Sequence, residues 1–176
     1  MEMLGSLKYS RVVIPENAAD LNVELISAGD ASSKMTCAAC YVRYRLKDGS
    51  HSCQLVLGKT KIVPEGMTLP RAELCAAVLN VHIAEVVKRA LKERVVDQIL
   101  VGDSEIALHW MNSEVKQLKP WTRNKVIEVN RFSEPVDRYH ISSDMNPADI
   151  GTRKGARIED VAPGSEWESG KTWIVR

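Results

Sequence analysis

The chain has 176 residues, 24 basic and 23 acidic side chains, a formal net charge of +1 and an apolar fraction of 44%. That is enough for one domain with its own core, and it excludes disordered, fibrous and bulk-charge polyanion-binding classes, leaving room only for a local basic face. No apolar run approaches a membrane span and residues 1–8 lack a signal-peptide core, so an intracellular protein, cytoplasmic or nuclear and not secreted, is expected, with no membrane partner.

Residues 1–20 read as an N-terminal arm with a turn signal at Pro15-Glu16-Asn17. Asn22 to Ala28 alternates as a first strand and stops at Gly29-Asp30-Ala31-Ser32. Thr36 to Leu46 is a second strand. It carries Cys37 and Cys40, whose spacing on a strand points them to opposite faces, so buried free thiols are expected rather than a zinc or redox pair. Asp48-Gly49 is a hairpin signal, and His51 to Gly58 returns as a third strand. Pro70 suits a first helical turn, and Arg71 to about Glu93 is a long helix. Its apolar face is Leu74, Cys75, Val78, Leu79, Val81, Ile83 and Val86.

Ile99-Leu100-Val101 then fits a buried strand, broken by Gly102-Asp103-Ser104. Ile106, Ala107 and Trp110 follow at helical spacing. A polar loop over residues 113–120 leads to a third helix, Trp121 to Phe132, ended by Pro135. Val136 to Ile141 is a fifth strand, and Pro147 to Thr152 opens a short helix with Asp149 in its first turn. Trp167 and Trp173 are aromatic anchors in the tail. The last two strands each follow a helical crossover and so run parallel to a neighbour. The expected fold is α/β: a mixed five-stranded sheet, three antiparallel strands plus two parallel additions, with helices on both faces. The expected layout is an arm (1–20), the domain (21–155) and a tail packed on it (156–176).

Four acids fall at element ends or inward faces: Asp30, Glu73, Asp103 and Asp149. An Asp before a helix is an ordinary N-cap, so Asp103 alone signifies little. In this topology, however, the first and fourth strands are central neighbours, which sets Asp30 beside Asp103. Clustered carboxylates raise one another's pKa, and such a pocket makes sense when divalent cations fill it. Hard oxygen ligands select Mg²⁺ or Mn²⁺. Two such ions about 3.5–4 Å apart can activate a water and stabilise the leaving oxygen of a phosphodiester.

Gly29-Asp30-Ala31-Ser32, Pro70-Arg71-Ala72-Glu73-Leu74, Gly102-Asp103-Ser104 and Asn146-Pro147-Ala148-Asp149 with Arg153 resemble the four motifs of a ribonuclease H domain. The lead-in Arg11-Val12-Val13-Ile14-Pro15, the Tyr41-Val42-Arg43-Tyr44 strand and the Trp-containing tail resemble the ribonuclease H region of BEL/Pao-type retrotransposon Pol polyproteins. The resemblance spans about residues 11–175. Each motif is weak alone; four in order on matching elements are specific. It implies that Asp30, Glu73, Asp103 and Asp149 hold two Mg²⁺ or Mn²⁺ ions and catalyse endonucleolytic cleavage of the RNA strand of an RNA–DNA hybrid. It also implies a 3′-hydroxyl and a 5′-phosphate as products, discrimination through 2′-hydroxyls in the minor groove, and a reverse transcriptase domain of the same polyprotein as a partner. The isolated domain is expected to be a monomer.

Three departures stand out. Gly29 and Gly102 replace the usual residues before the first and third Asp, which affects packing rather than ligation. The histidine that many ribonucleases H carry before the last acid is missing from Ser142-Ser143-Asp144-Met145, while His140 lies earlier. No basic helical insertion separates the second and third helices, as in retroviral versions that rely on a neighbouring polymerase domain for substrate grip.

Lys116, Lys119, Arg123 and Lys125 are candidates for tracking phosphates, against a plain solvated surface. Trp121 could stack on nucleic acid or anchor the core. Arg153 could meet a phosphate or serve as charge at a helix end. Ser32 and Ser104 could touch substrate or cap turns. A nucleophile elbow and a phosphate-cradling Gly-rich loop are both missing. An integrase-like strand-transfer enzyme needs a different acid spacing. The competing reading is a repurposed ribonuclease H-like domain that binds nucleic acid or protein without cutting.

Overall fold

The alternation after Asn22 becomes β1, Val23–Ala31, in a computed structural model that describes residues 13–174. Residues 1–12, most of the expected arm, lie outside the described residues. β1 runs past its apolar pattern because its polar end is still paired: Asp30 sits opposite Cys37 and Ala31 opposite Thr36. β2 is Met35–Arg45. β3 is His51–Ile62, four residues longer than expected, since Lys59 to Ile62 continue the ladder along Met35 to Ala38. Gly58 is no strand end. It makes room for Trp167, whose ring would lie 2.9 Å from a Cβ there.

The sheet order is β3-β2-β1-β4-β5, with β4 at Val95–Gly102 and β5 at Arg138–His140. β1 pairs β2 antiparallel and β4 parallel, and β4 pairs β5 parallel. β5 is shorter than the expected Val136 to Ile141. Pro135–Asp137 form a 3-10 turn instead, and Val136 is 73% exposed. Proline has no N–H for a ladder and presets a turn. The start of β5 is anchored by buried Arg138, which donates to Ser133 Oγ, the Met111 carbonyl and Asn130 Oδ1.

α1 spans Leu69–Leu91. Its stripe Leu79, Ile83 and Val87 packs on Val23, Leu25, Ala38, Cys40 and Val42 of the sheet. Val86, expected on that stripe, is 59% exposed, because Val87 completes the four-residue spacing and turns its neighbour outward. α2 (Glu105–Asn112) and α3 (Pro120–Asn130) lie on the same side. There Val78, Val81 and Ala84 meet Leu100 and Val129.

The opposite face, carrying Ile26, Ala39 and Tyr41, is covered by Trp167, Trp173 and Ile174 around α4, Glu166–Ser169. The Tyr41 hydroxyl donates to the Trp167 carbonyl at 2.9 Å, and Trp173 Nε1 donates to the Met145 carbonyl at 2.9 Å. Helices thus cover both faces, long on one and short on the other. Cys37 packs with Ala28 and Val101 on the second face and Cys40 with Leu25 and Val42 on the first. Burial pushes both thiols up to about 12, so they stay protonated. Among the described residues, no helix is long and apolar enough to cross a membrane.

Candidate metal centre

Three carboxylates meet at one edge of the sheet. β1 supplies Asp30 and α1 supplies Glu73; Asp103 follows the last residue of β4. Register explains the first and third: Gly29 pairs with Gly102 in parallel strands, so the residues that follow them, Asp30 and Asp103, come side by side. Glu73 depends on how closely α1 approaches. A Cβ at Gly29 would stand 3.1 Å from the Ala76 carbonyl and 3.2 Å from Asn80 Cβ. Glycine therefore lets the helix backbone press onto β1 just before Asp30. A Cβ at Gly102 would meet nothing closer than the Gly29 carbonyl at 3.5 Å, an ordinary contact.

Asn80, two turns beyond Glu73 and 4% exposed, fixes the helix in register. Its Nδ2 donates to the Ser27 carbonyl at 3.1 Å and the Val101 carbonyl at 3.3 Å, while its Oδ1 accepts from Ser27 Oγ. A buried amide with these partners ties α1 to both strands that carry the aspartates. Sequence reading missed this residue, which looks like an isolated polar position in an apolar helix.

Asp30, Glu73 and Asp103 each offer an oxygen, and those oxygens lie within 4.8 Å of one another. Burial pushes Asp30 up to about 6, against an opposing hydrogen bond from Thr152, and the charges of Asp103 and Asp149 push it further up. Burial raises Glu73 to about 8, with added repulsion from Asp30 and Asp103. Among the described residues no lysine or arginine pairs with any of the three. Three hard oxygen donors, mutually repelling and not neutralised by a side chain, suit a hard divalent cation.

Asp149 lies outside this group of three. It sits in the first turn of the expected short helix, which is a single 3-10 turn, Pro147–Gly151. Arg153 holds its carboxylate through Nε at 2.9 Å and through Nη2. The turn nevertheless reaches the other acids. Asn146, 2% exposed, donates through Nδ2 to the Gly29 carbonyl at 3.0 Å and to Asp103 Oδ1 at 3.3 Å. Its Oδ1 accepts from Ala148 N–H and caps the turn. Thr152 Oγ1 donates to Asp30 Oδ2. His140, exposed, donates a ring N–H to the Asp103 carbonyl at 3.1 Å. Asn146 was visible only as part of its motif, and Thr152 carried no signal at all.

A cleft of about 440 Å³ opens over Glu73 and Asp103, bordered by Leu69, Pro70, Ile106 and Ser143. Ser104 lines it too, but its hydroxyl accepts from Ala107 N–H at 3.2 Å and caps α2. The Ser32 hydroxyl accepts from Met35 N–H at 3.1 Å and caps the β1–β2 turn. Lys116 and Lys119 are exposed and Arg123 is half-buried. Lys125 pairs with Glu128 at 3.1 Å. Trp121 lies under the Arg71 guanidinium, 5.2 Å from ring centre to Cζ, which sets the start of α3 against the first turn of α1.

The matching family profile is the Pao retrotransposon-like RNaseH-like domain, over residues 2–104. That stretch includes Asp30, Glu73 and Asp103; Asp149 lies beyond it. No curated protein matches the chain. Solved structures similar to it include the N-terminal ribonuclease H domain of a Mycobacterium tuberculosis protein, at 13% identity and TM-score 0.49, covering 73% of this chain and 89% of that one. Ribonuclease H1 of Halobacterium salinarum gives 16% identity and TM-score 0.44, covering 72% and 90%. The LC11 ribonuclease H1, solved in complex with an RNA/DNA hybrid, gives 16% and 0.44, covering 71% and 88%. Likenesses this remote carry no functional weight. The profile match spans more than half of the chain, and the chain belongs to the Pao retrotransposon-like RNaseH-like domain family.

Proposed function

We propose that this domain is a divalent-metal-dependent endonuclease that cuts the RNA strand of RNA–DNA hybrids. The observation that carries the reading is the meeting of Asp30, Glu73 and Asp103 oxygens within 4.8 Å, beside an open cleft, in a chain of this family. Asp30, Glu73 and Asp103 are the proposed metal ligands, with Asp149 as the fourth. Two Mg²⁺ or Mn²⁺ ions held there would supply an activated water and charge neutralisation at the departing oxygen.

The chain's own part is to keep acids together that repel one another. Asn80 fixes the helix, Asn146 donates to Asp103, and the cleft leaves Glu73 and Asp103 open to solvent. The proposed substrate contacts are Ser32, Ser104, Lys116, Lys119, Trp121, Arg123, Lys125 and Arg153, and a reverse transcriptase domain of the same polyprotein is the proposed partner.

One observation favours a second reading. Asp149 is already satisfied by Arg153, as suits a domain that binds nucleic acid or protein without cutting. Strand-labelled RNA–DNA hybrid, RNA duplex and DNA duplex, each offered with Mg²⁺, Mn²⁺ or EDTA, separate the two. Nuclease function predicts metal-dependent loss of the hybrid's RNA strand alone. Hybrid left intact in both metals would overturn the nuclease reading.

A further inference from the structure

We propose that Thr152 is a positioning residue for Asp30, holding its carboxylate turned toward Glu73 and Asp103. The inference rests on the metal-binding reading of those acids. Thr152 Oγ1 donates to Asp30 Oδ2, and the same oxygen lies 3.1 Å from the Asp149 carbonyl. A hydroxyl has a single proton to donate, so the bond to the carboxylate is made at the expense of the local turn bond. Asp30 is 6% exposed, and little water is at hand to replace that donor.

The turn is seated so that Thr152 reaches Asp30. A Cβ at Gly151 would lie 2.2 Å from Cys37 Sγ, and Cys37 is the strand partner of Asp30. Only glycine lets the backbone press onto β2 there, and the residue that follows then faces the acid. A carboxylate free to rotate about its last bond would present its oxygens to the group of three only part of the time. Outer-shell bonds of this kind are worth about 10–100-fold in metal affinity.

The test compares wild type, Thr152→Val, Thr152→Ala and Thr152→Ser for Mn²⁺ binding, read from loss of the free-ion electron-spin resonance signal, with melting in EDTA measured alongside. Thr152→Val and Thr152→Ala should weaken Mn²⁺ binding by about 10-fold or more, and Thr152→Ser should restore it. A folded Thr152→Val chain that binds Mn²⁺ like wild type would overturn the assignment. Should Thr152→Val fail to fold, equal binding by the Ala and Ser variants would overturn it too. Wild type that binds no Mn²⁺ overturns the metal reading itself, whereas binding by wild type with no effect of the substitutions overturns the role of Thr152 alone.

Discussion

The three acids at the ends of regular elements and the acid on the turn live in different physical settings. Asp30, Glu73 and Asp103 are fixed by strand register and by Asn80, so they cannot relax apart. Burial then leaves Asp30 and Glu73 with raised proton affinity. Asp149 sits in a 3-10 turn with a partly exposed side chain, and a guanidinium four residues on meets its charge. The core confines repulsion in the first region, where a divalent cation would relieve it; in the second, the chain relieves it locally.

The strongest way to break the contrast is Asp103→Asn, which keeps the shape and removes one charge from the confined set. Mn²⁺ binding and hybrid cleavage should both fall by more than about 100-fold, beyond the range of outer-shell changes. The metal-free melting temperature should hold or rise, since repulsion is removed. Retained cleavage would dissolve the contrast altogether.

Gly29→Ala probes confinement from the packing side. Its methyl would meet the Ala76 carbonyl at 3.1 Å and Asn80 Cβ at 3.2 Å, forcing α1 outward. Overpacking of this kind costs about 1–3 kcal/mol, read by denaturant unfolding. Mn²⁺ affinity should fall as well, because Glu73 moves with the helix.

The pH dependence sharpens the same point. Glu73 at about 8 and Asp30 at about 6 bind protons more tightly folded than unfolded, where their ordinary values are 4.5 and 3.8. Between those limits the folded chain holds more protons, so stability falls as pH rises. Metal-free melting temperature should therefore decline from about pH 4 to about pH 8, and saturating Mg²⁺ should restore most of the loss at the alkaline end. A flat profile without metal would show that the three acids are not confined.

The smallest effect belongs to the turn. Arg153→Gln frees Asp149 from a partly exposed ion pair, and such pairs are worth about 0–1 kcal/mol. Mn²⁺ affinity should change by no more than about fivefold, the factor that energy allows. A larger change would place Arg153 inside the confined set.

What the sequence made legible follows this division. Strand alternation, the Asp48-Gly49 hairpin and the two helical crossovers report local pattern. They lead to a mixed five-stranded sheet with β1 beside β4 and so to Asp30 beside Asp103; Glu73 joins them in the sequence only through the family resemblance. Gly29 and Gly102 read as packing positions in the sequence, and for Gly29 the near contact with Ala76 is the reason. The ends of β1 and β3 were illegible because pairing outlasts apolar pattern. The short helix carrying Asp149 is legible from its Asn-Pro start, and it closes as a 3-10 turn over Pro147–Gly151. Asn80, Asn146 and Thr152 act across 122 residues of separation or fewer, through hydrogen bonds that leave no periodic trace.

Anomalous diffraction from Mn²⁺-soaked crystals tests the central claim most directly. The account predicts density for bound Mn²⁺ within direct coordination distance of oxygens of Asp30, Glu73 and Asp103, as suits a small hard cation on carboxylate ligands. Crystals that show no Mn²⁺ among those three carboxylates would contradict it.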